Sequence, residues 1–275
     1  MRINKNKKPG ALIFTGYGIN CDYETQYACS IAGFDARRVH LNDILENPVS
    51  IMDYKLIVFP GGFSFGDDLG AGVAFAAKIK YSRPADGERL MDVLLEFVEG
   101  DRLILGICNG FQILVRLGLV PAINRNYGKQ EIALAPNKVG YFIDRWVTLK
   151  INDSSKCVFT RGLSFLKLPV RHGEGRVLAK NSEVLQRISD NNQIVVQYCD
   201  EDGRVREDFP INPNGSVYSI AGICDHTGRI FGLMPHPEAA IFHYNYPDWT
   251  SKKGMLGDIY GDGLMIFKNG FEYVR

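Results

Sequence analysis

Long apolar runs are missing from this 275-residue chain. None reaches the roughly 18 residues that a membrane span needs, so no membrane association is expected. Paired cysteines are missing too. The six present show no C-x-x-C and no regular spacing. That argues against a disulfide framework and a structural zinc site, and places the chain in a reducing cytoplasm. Charge of one sign is also lacking: 32 Lys and Arg face 31 Asp and Glu. A formal charge of +1 leaves no footprint for nucleic acid or an anionic membrane. The basic start, Met1 to Lys8, meets no apolar h-region before Pro9-Gly10, so it reads as a flexible tail over residues 1–9 and not as a signal peptide. Nucleotide signatures fail as well. Gly16-Tyr17-Gly18 and Gly70-Ala71-Gly72 lack the third glycine of G-x-G-x-x-G, and no G-x-x-x-x-G-K-[ST] is present. Any ATP chemistry would belong to a partner.

What remains is ordinary for a globular chain: 45% hydrophobic and 23% charged residues, enough for a sizeable core. The first half alternates short apolar runs with amphipathic stretches. Ala11 to Thr15, Leu56 to Phe59 and Leu103 to Ile107 read as buried strands, each closed by a glycine-containing turn. Asp22 to Gly33, Glu88 to Glu99 and Asn109 to Leu117 read as helices. Strand, turn, helix, repeated, predicts an α/β fold with a parallel sheet, and ligands at the carboxyl ends of its strands. The second half looks more antiparallel, with extended stretches at Trp146 to Ile151, Leu166 to Arg171, Gln193 to Cys199 and Val217 to Cys224. Ile230 to Met234 is a further apolar run, and Asp262 is set to cap a closing helix. A single domain over residues 1–275 is the economical reading.

The sharpest feature is Gly106-Ile107-Cys108-Asn109-Gly110, which joins a buried strand to a helix. A nucleophile at such a junction sits on a tight elbow, with its side chain above the sheet. The glycines keep side chains out of the turn. The helix N-terminus offers free N–H groups that favour a thiolate and then an oxyanion. Chance would place glycine on both sides of a cysteine roughly 0.07 times in a chain of this composition. A cysteine nucleophile needs a base, and the base an orienter. Among five histidines, His40, His226 and His243 read as surface, turn or packing residues. His172 lies in the glycine-rich His172-Gly173-Glu174-Gly175 and is open to either a ligand or a structural role. His236 follows an apolar strand between Pro235 and Pro237, with Glu238 two residues on. In an extended chain these side chains share one side and can hydrogen-bond. As metal ligands the two are poor candidates, since nothing nearby in sequence supplies a third.

The elbow G-I-C-N-G-F-Q-I-L (106–114), the turn P-G-G-F-S-F-G-D (60–67) and M-P-H-P-E (234–238) together resemble the class I, triad-type glutamine amidotransferases. Within them, F-S-F-G-D, C-N-G-F-Q, H-G-E-G (172–175) and N-P-N-G-S (212–216) resemble the glutaminase subunits of phosphoribosylformylglycinamidine synthase. The resemblance runs from about Ala11 to Phe242. It implies a flavodoxin-like, doubly wound, mostly parallel sheet with helices on both faces and an antiparallel extension. It assigns Cys108 as nucleophile, His236 as general base and acid, and Glu238 as orienter. It also implies oxyanion N–H groups from the Gly61-Gly62 turn and from Asn109, and L-glutamine held with the help of Gln112; His172, from its glycine-rich loop, is kept as a further substrate-binding candidate. No cofactor is implied in this chain; ATP and magnesium would sit in a large synthetase subunit, joined by a small third subunit. The sequence departs from the family at Asp68, where an aromatic residue is usual, and at Gly70 and Ala239, where arginine is frequent. Residues 77–88 and 243–256 are also unlike the compact members. Read from the residues alone, a γ-glutamyl hydrolase, another amidotransferase or a non-catalytic flavodoxin-like binding module stay open.

Overall fold

The computed structural model describes residues 8–84, 87–251 and 259–275. Most of the basic tail, and parts of the two idiosyncratic segments, lie outside the described residues. The first half runs β1 (Gly10–Thr15), α1 (Asp22–Ala32), β2 (Asp35–His40), α2 (Leu41–Glu46), β3 (Leu56–Phe59), α3 (Val73–Tyr81), α4 (Leu90–Glu99), β4 (Leu103–Ile107) and α5 (Asn109–Leu117). The second half runs β5 (Ile132–Pro136), β6 (Ile143–Ile151), β7 (Phe165–His172), β8 (Glu174–Ala179), α6 (Ser182–Asp190), β9 (Ile194–Cys199), β10 (Ile220–Cys224), β11 (Ile230–Leu233) and α7 (Asp262–Val274).

Among the described residues, nine strands form one sheet in the order β2-β1-β3-β4-β11-β10-β9-β6-β7. The first five are parallel, in the flavodoxin-like order. From β11 onward the pairings are antiparallel. β5 and β8 form a separate antiparallel pair. Every residue of β3 and β4 is buried, as expected for central strands covered on both faces. The chain moves leftward from β1 to β2 and rightward from β3 to β4. Right-handed crossovers therefore put α1 on one face and α3 and α4 on the other. α7 packs on α1, and α5 packs on α3. The face of α4 buries Val93, Leu94, Phe97 and Val98, each worth about 1.5–3 kcal/mol relative to exposure.

Two expectations shift. Val217 to Ser219 forms a 3-10 turn, and the strand begins at Ile220. Asp262 is the first helical residue, not the cap. Its carboxylate is drawn away to accept the Lys167 N–H at 2.8 Å. Elements such as β2, Asp-Ala-Arg-Arg-Val-His, escaped the sequence reading because an edge strand need not be apolar.

Candidate active site

β4 ends at Ile107 and the chain turns at Cys108 with φ 50° and ψ −105°. A non-glycine residue held there costs on the order of 1–3 kcal/mol and persists only when its surroundings over-determine it. They do. The Cys108 N–H donates to Leu233 O at 2.8 Å, and its carbonyl accepts from Gln112 N–H at 3.1 Å. The start of α5 is pressed onto the end of β3: a Cβ on Gly110 would lie 1.8 Å from the Phe59 carbonyl oxygen. The same crowding leaves no room beyond hydrogen at Gly106, whose Cβ would lie 2.8 Å from Gly110 O. The Cys108 side chain is buried, with Sγ 3.6 Å from the Arg171 carbonyl oxygen.

The histidine arrives from the neighbouring strand. Leu233 of β11 is in register with Ile107 of β4, so the chains leave the sheet side by side. His236 then donates its N–H to Pro169 O of β7 at 2.8 Å. Its Nδ1 lies 2.6 Å from Glu238 Oε1, and both side chains are buried. The pairing does not come from a fully extended segment. Pro237 to Ala239 is a 3-10 turn, with Pro237 in the first helical position that its fixed φ suits. Burial works to discharge His236. The Glu238 carboxylate and the Cys108 sulfur outweigh it and hold the imidazole pKa well above its ordinary value.

Cys108, His236, Gly62, Phe63, Phe142 and the Arg171 segment line a cavity of about 120 Å3, completed by Asn20 and Cys21. The Phe63 and Phe142 rings, half-exposed and 6.2 Å apart, stand at its rim. Gly62 has φ 153°, and its Cβ would strike the Gly18 carbonyl at 2.7 Å. Gly61 O accepts the N–H of Cys21 at 3.2 Å and of Asn20 at 3.4 Å, fixing the loop to the start of α1.

The other residues singled out from sequence stand behind this wall. Asn109 is fully buried; its Oδ1 accepts from Ser64 N–H at 3.2 Å and its Nδ2 donates to Gln112 Oε1 at 2.8 Å. Gln112 Nε2 donates to the Glu174 carbonyl. These two side chains therefore tie the glycine loop to β8 and are not among the residues lining the cavity. His172 is not among them either. Its Nδ1 meets Asn137 Oδ1 at 3.0 Å, and burial, with the charge of His236, lowers its pKa to about 3. A larger groove of about 660 Å3, between residues 151–164 and Tyr273, contains none of these groups.

Cys21, Phe142 and Arg171 were missed by the sequence reading. Phe142 and Arg171 come from the antiparallel half, whose return to the elbow no local pattern announces. Cys21 had a signal: it lies in the turn after β1, among the carboxyl-end turns where ligands sit. Its Sγ, a His236 ring nitrogen and a Glu238 oxygen lie within 4.8 Å of one another. A third candidate donor thus stands beside His236 and Glu238 in space, whereas none lies at metal-ligand spacing along the chain.

A profile of the CobB/CobQ-like glutamine amidotransferase domain matches residues 8–274. The chain belongs to this glutamine amidotransferase family. Among its relatives, the phosphoribosylformylglycinamidine synthase subunit PurQ of Methanococcus maripaludis is 45% identical, over 96% of this chain and 97% of the relative. The protein of the same name from Dehalococcoides mccartyi is 41% identical, with 98% of both chains covered. A chain in the solved structure of PurLQS from Thermotoga maritima superposes with a TM-score of 0.68 at 31% identity, covering 98% of this amidotransferase and 100% of that chain. The likeness spans the whole sheet, including the antiparallel strands that bring Arg171 to the elbow.

Proposed function

We propose that this amidotransferase is the glutaminase subunit of a phosphoribosylformylglycinamidine synthase, and that Cys108, His236 and Glu238 carry its chemistry. The carrying observation is the convergence of Cys108 and His236, from neighbouring strands, on one small cavity with Glu238 bonded behind the imidazole. The Cys108 sulfur attacks the side-chain amide carbon of L-glutamine. The oxyanion is met by N–H groups of the Gly61-Gly62 turn and of Asn109, the first residue of α5, each worth about 2.7–4 kcal/mol in the barrier. His236, charged beside Glu238, gives its proton to the leaving ammonia. It then takes a proton from the water that opens the thioester, releasing glutamate. Gln112 and His172 support the walls of this site from behind.

Ammonia must leave neutral and unlost, so the Phe63 and Phe142 rim is the face that an ATP-dependent synthetase would cover. A small third subunit completes the assembly. ATP and magnesium act in the synthetase, and the setting is the cytoplasm. The test is Cys108→Ala in the assembled complex. Glutamine-driven synthesis is abolished while ammonia-driven synthesis persists. Equal loss of both, or glutamine-driven synthesis that survives, contradicts the assignment.

A further inference from the structure

Cys21 takes no part in the reaction above, yet it stands against the base. The approach is close: a Cβ on Gly61 would lie 2.7 Å from His236 Cε1 and 3.2 Å from Cys21 Sγ. The sulfur, a ring nitrogen of His236 and a carboxylate oxygen of Glu238 fall within 4.8 Å of one another. Two further observations point to a ligand. His236 Nε2 and Glu238 Oε2 are buried polar atoms without a hydrogen-bond partner. The cavity that Cys21 lines also holds Cys108.

We propose that Cys21, His236 and Glu238, with Cys108 on the same cavity, form a binding site for a thiophilic divalent cation such as Zn2+, and that its occupancy switches the enzyme off. The donor set is one or two sulfurs, one imidazole nitrogen and one carboxylate oxygen, the mixture that zinc prefers. Tetrahedral zinc holds its ligands roughly 3.5 Å apart. Occupancy requires the His236 Nδ1 and Glu238 Oε1 pair, now 2.6 Å apart, to open around the cation and Cys21 Sγ to join it. Binding displaces the protons of the participating thiols and of the imidazole. The cation takes the electron pairs with which Cys108 and His236 attack substrate and move protons. The inhibition rests on the thioester reading above; the binding does not.

The experiment adds Zn2+, and separately Co2+, to the purified full chain and follows binding by calorimetry and near-ultraviolet absorption. In Cys21→Ser, and in Cys21→Ala as a check on packing, Zn2+ affinity falls about tenfold or more, at least the cost seen when even an outer-shell partner is lost. The thiolate-to-cobalt absorption of the wild type weakens in both variants. Whatever glutaminase activity Cys21→Ser shows in the assembled complex without added metal, its inhibition requires about tenfold more Zn2+ than that of the wild type. Cys108→Ala, though inactive, still binds Zn2+. Equal Zn2+ affinity in wild type and both Cys21 variants overturns the site, as does a wild type that binds no Zn2+. A wild-type complex without glutaminase activity overturns the thioester reading instead, and the calorimetry still decides the metal site.

Discussion

From β2 to β11 the sheet is parallel, and its strands end together at one carboxyl edge. From β10 to β7 it is antiparallel, and only β9 and β7 run toward that edge. The reactive groups come from the parallel half, where β4 and β11 release Cys108 and His236 in adjacent register. The antiparallel half supplies the wall: Pro169 holds the histidine backbone, and the Arg171 carbonyl faces the thiol. The difference separates chemistry from containment. Substitutions in the parallel half, β11 and the His236 segment included, should strike the barrier or the elbow itself. Those in the antiparallel half should strike stability and leave the chemistry standing.

The largest effect that would test this division is at Gly110. An alanine there puts a methyl group into the Phe59 carbonyl, and overpacking of that severity costs about 3 kcal/mol or more. Thermal unfolding of Gly110→Ala should show a large loss or no folded protein. An unaltered melting point would mean the elbow is not jammed as described. Next is His236→Gln, for which glutaminase kcat should fall about 10³-fold with the urea midpoint little changed. A loss below tenfold would remove His236 from proton transfer.

On the antiparallel side the expectation reverses. Asn137 Nδ2 donates to the His172 carbonyl at 2.8 Å and to the Tyr141 carbonyl at 3.0 Å, while its Oδ1 meets His172 Nδ1. Asn137→Ala should lower unfolding stability by about 1–3 kcal/mol, because buried groups lose their partners. The kcat of the folded fraction should stay near wild type; a selective collapse of kcat would merge the two halves. The last effect is pH-dependent and concerns His172. Its folded pKa of about 3 lies below the ordinary unfolded value, so the unfolded chain binds the extra proton in the window between them. This residue's contribution is complete above neutral pH and declines as pH falls, at about 1.4 kcal/mol per unit between pH 6 and 4. Urea titrations of wild type and His172→Gln across that range should differ by this slope. Parallel curves would show that His172 is not held neutral.

The same division explains what the sequence disclosed. The inner parallel strands were legible because full burial makes them continuous apolar runs, as at Leu56 to Phe59. The elbow was legible because a Cβ at position 110 would collide with the Phe59 carbonyl, which leaves glycine no substitute there. His236 and Glu238 were legible as a pair, although through a 3-10 turn and not an extended segment. Gln112 and His172 carried substrate-binding roles in the sequence reading, yet their side chains spend their hydrogen bonds on backbone and neighbouring side chains. That distinction is invisible without the fold. Cys21 escaped because its partners His236 and Glu238 are distant along the chain and follow a strand that β3 and β4 separate from β1.

The bond from the His236 N–H to Pro169 O has a consequence for how the enzyme breathes. Its acceptor belongs to the rim strand of a nine-stranded sheet, and rim strands open before central ones. The deuterium uptake of that one amide therefore follows the fraying of β7, whereas the Cys108 amide, clasped between β4 and β11, should exchange on the far slower clock of whole-sheet unfolding.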